Sequence, residues 1–536
     1  MLAAPAATCH FLDSMPLARR IASLTAFAVA TLACERAQAA PAQQAYLKAS
    51  NTKAAAYFGY SVAVSGDTVV IGAQRESNGA TGVNGNPKAG ILTNSGAAYI
   101  FGRNGTNWTQ QAYLKASNPG PGDAFGSSVA ISGDTAVVGA EWDGSSGFHP
   151  VRSDTSARES GSAFVFVRNG TNWIQQACLK ASNARPEHGF GHSVAVSGDI
   201  VVVGAINDSS SSAGVNGNQS DTNAPFAGAA YVFVRKDTNW TQEAYLKASN
   251  PDKEDRFGIS VAVFGNTVVV GAWWEDSNAT GINGEQSDNS APDAGTAYIF
   301  VRHGTNWSQQ AYLKASNTRP QQSFGKSVAI SGETIVIGAE FENSGATGVN
   351  GVQSGSSLVG SGAAYVFVRD GTNWSQQAYL KAFRPKVNSF GTSVAISSEM
   401  VVVGATREDS AASGINGDQN NTDAPSSGAA YVFVRNGTNW IQRYYLKASN
   451  PDGCVGRVYL DFVGRLKSSS RGTCDQFGWS VGVSGDTVIV GAIGEASKAT
   501  GVNGNQTDNS AKDAGAAYVF GGLSARSPAP ARTSDR

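Results

Sequence analysis

The chain repeats one segment pattern seven times, and this repetition constrains its fold more than any other feature. Each copy begins with Phe-Gly and an alternating run such as SVAVS, then reaches a second apolar run that ends in Gly-Ala. The seven copies begin at Phe58, Phe125, Phe190, Phe257, Phe324, Phe390 and Phe477. Neighbouring pairs lie 65 to 67 residues apart, except for a last interval of 87, so we expect each copy to form one structural unit.

Each unit contains four runs that are typical of β-strands, here named A to D. Strand A alternates apolar and polar residues, whereas strand B, such as TVVIGA, is apolar on both faces. Strand C resembles AAYVFVR and strand D resembles WTQQAYLKA. Two-residue links with hairpin chemistry, Gly66-Asp67 between A and B and Asn104-Gly105 between C and D, predict antiparallel pairing of all neighbours.

Sheets that are apolar on both faces must stack face to face, and radial stacking buries every face. We therefore predict an all-β, seven-bladed β-propeller over residues 40–522, with four antiparallel strands per blade. An open solenoid is the competing arrangement. The ends of the repeat region favour the ring, because a lone strand D at 43–50 and a strand C without its D at 515–522 would together complete the last blade.

The first 39 residues have the pattern of a signal peptide. Arginines at 19 and 20 precede an apolar run at 21–33 and an A-x-A site at 37–39. A run of 13 residues is too short to span a bilayer, which needs about 20. We expect an exported protein, secreted, periplasmic or cell-surface, with no membrane span. Two points stay open: whether Met1 or Met15 is the start, and whether Cys34 carries a lipid. Residues 523–536 are predicted to be a disordered tail.

Charge and motif content exclude several classes of function. The chain has 40 basic and 41 acidic residues, a balance that argues against a nucleic-acid partner. It contains no P-loop, no H-E-x-x-H and no G-x-S-x-G motif, and no recognisable set of nucleophile, base and orienting group. We predict a protein that is not an enzyme, and a hydrolase site in the central channel is the weakest alternative.

The pairing of Phe-Gly with Gly-Ala resembles the FG-GAP repeat, which builds the seven-bladed propeller of integrin α-chain heads. Similar bacterial proteins carry the repeat as a secreted domain. The resemblance covers residues 43–522 and implies a binding or adhesion role. Integrin-type repeats often hold a calcium loop between strands A and B, but here that place has only a two-residue turn. One acidic side chain cannot supply six to eight oxygens, so those calcium sites do not carry over.

The two faces of the predicted disc differ. One carries only the tight A–B and C–D turns, and the other carries the D–A links and the B–C loops, which have 20 or 22 residues. The B–C loops share sequences such as GVNGN, so we expect ordered loops and ligand binding on this face. Recent duplication without selection on the loops is the alternative interpretation.

An acidic residue follows strand B in every copy: Glu76, Asp143, Asp208, Glu275, Glu342, Glu408 and Glu495. These carboxylates are candidates for the ligand face, where calcium is a candidate cofactor at the B–C loops. The favoured interpretation is that each carboxylate caps backbone N–H groups of its own loop. A lysine recurs in every strand D, and we expect it to keep that outer edge from aggregating.

Tryptophans fall into two groups. Six recur in the C–D hairpins, where packing between blades is favoured over stacking on sugars. Trp142, Trp273 and Trp274 instead break the repeat directly after strand B, so they are better candidates for a contact surface.

The last unit carries an insertion at 453–474 that is flanked by Cys454 and Cys474. In an exported protein these two cysteines are expected to form a disulfide. The insertion is either a partner site or a tolerated extension of a D–A loop.

The sequence therefore predicts a monomeric binding module that recognises a protein or matrix ligand through the B–C loop face. A carbohydrate-binding lectin with up to seven equivalent pockets is the alternative. No cofactor is firmly implied.

Overall fold

The computed structural model describes residues 40–86, 88–144, 157–355, 358–384, 386, 388–454, 458–460, 466–468 and 474–523. The predicted signal peptide and nearly all of the predicted tail lie outside the described residues. Leu523, the first residue assigned to that tail, is buried in the core beside the last blade.

The described residues form seven antiparallel sheets of four or five strands, one per repeat, and one small two-stranded sheet. The chain opens with β1 (Ala42–Leu47). Blade 1 has β2 (Phe58–Ser65), β3 (Thr68–Ala73), β4 (Ala97–Asn104) and β5 (Asn107–Leu114). Blade 2 has β6 (Ser128–Ser132), β7 (Thr135–Ala140), β8 (Ser162–Asn169) and β9 (Asn172–Leu179). Blade 3 has β10 (Phe190–Ser197), β11 (Ile200–Ala205), β12 (Ala229–Lys236) and β13 (Asn239–Leu246).

The second half of the ring repeats this arrangement. Blade 4 has β14 (Ser260–Phe264), β15 (Thr267–Ala272), β16 (Thr296–His303) and β17 (Asn306–Leu313). Blade 5 has β18 (Phe324–Ser331), β19 (Thr334–Ala339), β20 (Ala363–Asp370) and β21 (Asn373–Leu380). Blade 6 has β22 (Phe390–Ser397), β23 (Met400–Ala405), the short β24 (Gly414–Ile415), β25 (Ala429–Asn436) and β26 (Asn439–Lys447). A small hairpin of β27 (Val458–Leu460) and β28 (Leu466–Ser468) precedes blade 7, which has β29 (Phe477–Ser484), β30 (Thr487–Ala492) and β31 (Ala516–Gly521).

The first strand closes the ring. β1 pairs antiparallel with β31, with Tyr46 opposite Tyr518 and Leu47 opposite Ala517. The last sheet therefore has the order β1-β31-β30-β29, which places the N-terminal strand at its outer edge. This arrangement confirms the predicted seven-bladed propeller.

The two kinds of hairpin turn sit where the sequence predicted them, with one shift. Ser65 pairs with Thr68, so Gly66-Asp67 is the A–B turn. Asn104 pairs with Asn107, so the C–D turn is Gly105-Thr106 rather than Asn104-Gly105. The shift has a backbone cause, because the first turn residue has a φ of +64° and glycine adopts this conformation without strain.

The Phe-Gly and Gly-Ala pairs mark the closest contact between neighbouring blades. Phe58 packs edge-on against Tyr99 of its own blade, with ring centroids 5.3 Å apart. A Cβ on Gly59 would lie 2.3 Å from the carbonyl oxygen of Ala516 in the preceding blade, and one on Gly72 would lie 2.1 Å from that of Gly126 in the next. No side chain fits at these distances, so the glycines allow the blades to pack.

A ring of serine hydroxyls joins all seven blades around the central channel. Each serine near the start of a strand A donates to the carbonyl of the Phe-Gly glycine in the next blade, at 2.8 to 2.9 Å. The ring closes where Ser480 of blade 7 donates to Gly59 of blade 1.

The B–C loops run back along strand D. In blade 1, Val83 bridges to Leu114, and Asn84 accepts a hydrogen bond from the backbone N–H of Tyr113 at 2.9 Å. Asn84 has a φ of +52°, which asparagine tolerates better than most residues. Equivalent bridges occur in blades 3 to 7. The shared GVNGN-type sequence thus covers part of the edge of strand D, which the sequence had suggested to be unpaired.

The recurring tryptophans pack between blades, as the favoured interpretation held. They are 3 to 8% exposed. Trp240 Nε1 donates to Gln176 Oε1 of the preceding blade at 2.8 Å, and the guanidinium of Arg235 lies 5.2 Å from the centroid of the Trp240 ring.

The expected disulfide joins Cys454 and Cys474, whose Cα atoms are 4.4 Å apart. Cys178, the free cysteine among the described residues, is partly buried in strand D of blade 2.

Candidate functional site

The seven carboxylates that follow strand B lie inside the blades rather than on a surface. Their exposed fractions range from 0 to 6%. Six of them form ion pairs with the lysine of strand D, at 2.6 to 3.1 Å: Glu495–Lys48, Glu76–Lys115, Asp208–Lys247, Glu275–Lys314, Glu342–Lys381 and Glu408–Lys447. The expectation of exposed, edge-protecting lysines is wrong, because all seven lysines are buried and six of them neutralise a buried carboxylate.

Five of the carboxylates also accept a hydrogen bond from an asparagine at the end of the preceding blade. In blade 5, Glu342 Oε1 accepts the backbone N–H of Ser344 at 3.0 Å and the amide of Asn317, from the end of blade 4, at 2.9 Å. This is the capping role that the sequence favoured for these residues. Burial lowers the pKa of Lys381, and the charge of Glu342 opposes that shift. The ammonium group lies where a bound cation would be needed, so this geometry does not support calcium at the carboxylates.

Blades 2 and 3 depart from this scheme. In blade 2, Asp143 accepts a hydrogen bond from Ser162, and Lys180 donates to Ser160 Oγ at 2.9 Å and Gly161 O at 2.6 Å. In blade 3, Asp208 accepts from His188 Nε2 at 2.9 Å as well as from Lys247. Burial would raise the pKa of Asp208, but the hydrogen bond from His188 and the charge of Lys247 lower it overall.

Side chains that differ from blade to blade gather at the mouth of the central channel. The residue after each Phe-Gly pair is different in all seven blades: Tyr60, Ser127, His192, Ile259, Lys326, Thr392 and Trp479. These residues surround an opening of about 260 Å³ together with the serines and valines of the strands A. The channel mouth is therefore the part of the disc where the repeat symmetry is lost.

One side of this mouth opens into a second cavity of about 390 Å³, which we call the aromatic cavity. Its walls include Trp142, Trp273 and Trp274, so the structure brings the three predicted contact tryptophans together. All three are partly exposed. Ile206 and Ile259 complete an apolar wall next to Trp142.

The lining also contains a stack of aromatic rings and cationic groups. The rings of Trp273 and Trp274 lie parallel with centroids 4.9 Å apart. Lys326 Nζ lies 3.8 Å from the centroid of Trp273. The Arg256 guanidinium lies 5.4 Å from the centroid of Trp274 and 4.5 Å from that of Phe226. Each cation thus lies within reach of an attractive contact with an aromatic face.

Sequence reasoning missed the cationic members of this stack and the histidine beside it. His192 Nδ1 is hydrogen-bonded to Glu141 Oε2. Burial lowers the pKa of Lys326, against the opposing charge of Glu340, and burial likewise lowers the pKa of Arg256. The sequence did contain one signal for these residues. Lys326, His192 and Arg256 occupy aligned positions at which the residue differs between copies of the repeat.

The seven-bladed fold is typical of a binding or adhesion-type module, and a ligand-sized cavity lies beside its channel mouth. A model of the FG-GAP repeat family matches residues 41–101, 108–166, 173–233, 240–300, 307–367, 374–433 and 461–520, and the chain belongs to this family. A search of curated proteins found no match. Proteins of this family are generally not enzymes and are typically extracellular or surface-exposed. Within the described residues, no helix has the length and apolar content needed to cross a bilayer.

Proposed function

We propose that this protein is an exported, non-catalytic adhesion module that recognises a protein or matrix ligand through its B–C loop face. The aromatic cavity is the contact site. One observation carries the proposal: three of the side chains that vary among the blades, His192, Ile259 and Lys326, meet the three non-repeated tryptophans there, whereas the repeated side chains hold the blades together.

The division between repeated and variable residues supports a single site. The repeated tryptophans, lysines and carboxylates are buried in contacts within and between blades. Because the repeated side chains are already used in these contacts, they are not available to form seven equivalent sugar pockets. Both faces of Trp273 are also taken, one by Trp274 and the other by Lys326, so a sugar ring would have to displace a neighbour to stack there. This geometry favours the protein or matrix ligand over the lectin alternative.

The hydrogen-bonded pair of His192 and Glu141 at the channel mouth is the observation that favours the catalytic alternative. A histidine oriented by a carboxylate can act as a general base. The adjacent Ser193, however, donates its hydroxyl proton to the carbonyl of Gly258 at 2.8 Å. A hydroxyl held in this way is not activated as a nucleophile, which supports a non-catalytic role.

Binding assays on the full-length chain test the proposal. We expect it to bind one member of a panel of purified matrix proteins with one site per chain. Trp142→Ala should weaken that binding at least about tenfold, as loss of a central aromatic contact does.

Phe264→Ala is the matched control, because Phe264 is 49% exposed and adjoins the A–B turn of blade 4 on the opposite face. It should leave the affinity unchanged. Equal losses in both variants would contradict a site on the B–C loop face. Binding on a glycan array with about one site per blade would instead support the lectin.

A further inference from the structure

We propose that the aromatic cavity recognises a carboxylate that a peptide ligand presents beside an apolar side chain. This inference rests on the proposed function and names the chemistry that the site selects. It is carried by two cations and an indole N–H that line one cavity and have no anionic partner there.

The first step concerns charge. Among the described residues, Arg256, in the D–A link before blade 4, and Lys326 belong to no ion pair, whereas the six partly buried arginines of the strands C each pair with an acidic side chain. Glu254 and Glu340 affect these two cations only through their charge. A partly buried cation without a counter-ion is costly, and an anionic ligand would remove that cost.

The second step concerns hydrogen bonding. Trp273 Nε1 is buried and has no acceptor within the described part of the chain. An indole N–H, an ammonium and a guanidinium are all donors. Asn207 Oδ1, which also lines the cavity, accepts one N–H of Arg256. The remaining donors of Arg256 and those of Lys326 have no acceptor among the described residues, so the ligand must bring one. A carboxylate supplies two oxygens with about four lone-pair sites, which matches this set.

The third step concerns the rest of the ligand. Trp142, Ile206 and Ile259 form an apolar wall beside the donors. A strongly hydrated inorganic anion would gain nothing from that wall, whereas an apolar side chain would be removed from water there. The cavity volume of about 390 Å³ lies at the small end of ligand pockets. It suits one or two residues of a peptide rather than a large planar cofactor.

The test uses a pair of probes that differ in one charge. N-acetyl-leucine carries the carboxylate and the apolar side chain, and N-acetyl-leucinamide keeps the side chain but replaces the carboxylate with a neutral amide that has one acceptor oxygen fewer. Titration of the full-length chain, followed by tryptophan fluorescence and by calorimetry, should show saturable millimolar binding of the acid. The amide should bind at least about tenfold more weakly, the size expected for hydrogen bonds to a charged group.

Two substitutions use residues that the fold already accepts at aligned positions. Lys326→Thr copies Thr392, and Arg256→Ser copies Ser323. Each should weaken binding of the acid at least about tenfold and so reduce the difference in affinity between the acid and the amide. Trp273→Phe keeps the ring but removes the orphan N–H, so it should weaken binding of the acid by a smaller factor. Lys236→Gln, at an exposed C–D turn on the other face, is the matched control and should have no effect.

Equal affinities for acid and amide would overturn the inference, as would a failure of the acid to bind at all. A macromolecular ligand whose affinity falls in Trp142→Ala but not in Lys326→Thr or Arg256→Ser would also overturn it, while the proposed function would stand. A ligand whose affinity is unchanged by Trp142→Ala would contradict the proposed function itself.

Discussion

In blade 5, the lysine of strand D fixes both ends of the B–C loop. Lys381 donates to Glu342 at 2.7 Å and to Ser361 Oγ at 2.7 Å, so one ammonium holds the beginning and the end of a B–C loop. Removal of one partner of such a pair would leave the other charge buried and uncompensated. The same pair recurs in most blades, so the long loops are fixed at their bases by electrostatics rather than by apolar packing.

A second buried group predicts how stability depends on pH. Burial raises the pKa of Asp255 to about 9, although the N–H of Asp252 donates to its carboxyl at 2.9 Å and opposes the shift. The unfolded chain has this pKa near 3.9. Because the folded state holds the proton more tightly, stability is fully present below about pH 4 and falls as the pH rises to 9, by up to about 1.4 kcal/mol per unit.

Asp255→Asn should therefore raise the melting temperature at pH 8 and flatten its decline between pH 5 and 9. The repeat supports this design, because Gln322 and Asn388 occupy aligned positions, and Gln322 Oε1 accepts the equivalent backbone N–H of Arg319 at 3.0 Å. Melting curves of both proteins at several pH values provide the measurement. Parallel curves across that range would show that Asp255 does not carry the proton.

At the scale of the strand, the paired glycines set the spacing of the blades. A Cβ on Gly258 would lie 2.3 Å from the carbonyl oxygen of Ala229, and the φ of Gly258 is +90°. Gly265, in the A–B turn of the same blade, also has a positive φ but has no atom within 4 Å of its hypothetical Cβ. Substitutions at these two positions therefore distinguish the cost of backbone strain from the cost of a clash between blades.

We expect Gly265→Ala to lower the free energy of unfolding by about 1 to 2 kcal/mol, because the alanine must adopt a left-handed backbone conformation but meets no other atom. Ser398 already occupies the equivalent turn position of blade 6 with a φ of +52°. Gly258→Ala should cost about 1 to 3 kcal/mol more, since it also overpacks the contact with the adjacent strand. Chemical denaturation of the two variants measures the difference, and equal midpoints would mean that the contact relaxes freely.

The strands illustrate what local pattern can predict. Alternation in strand A and the Gly-Asp turn follow from neighbouring residues, so all seven hairpins were predictable. The burial of Lys381 was not, because its partner Glu342 lies 39 residues away. The bridge from Val83 to Leu114 was missed for the same reason. At the candidate site, the three tryptophans were found as exceptions to a repeat. Arg256 and Lys326 also occupy positions that differ between copies, but they carry no motif, and their importance follows from the contacts that the ring creates.

At the scale of the whole molecule, each blade depends on its neighbours, and one strand from the other end of the chain completes the circle. Lys48, at the end of β1, pairs with Glu495 at 2.6 Å, and Tyr46 donates to the same carboxylate at 2.8 Å. Loss of β1 would leave Glu495 buried without its cation and expose the edge of β31. The ring of serine hydroxyls also closes at this junction, where Ser480 of blade 7 donates to Gly59 of blade 1.

Deletion of residues 40–50 should therefore lower the melting temperature far more than an equally long deletion at the C-terminus, within residues 526–536. An uncompensated buried charge alone costs about 3 to 5 kcal/mol, and the lost strand pairing adds to it. A synthetic peptide of residues 40–50 should restore stability in a concentration-dependent way, because ligand binding to the folded state shifts unfolding by mass action. The same peptide with the lysine at position 48 replaced by methionine should restore much less. If the deletion were harmless, or if both peptides rescued equally, the propeller would not depend on the pairing of its first strand with its last blade.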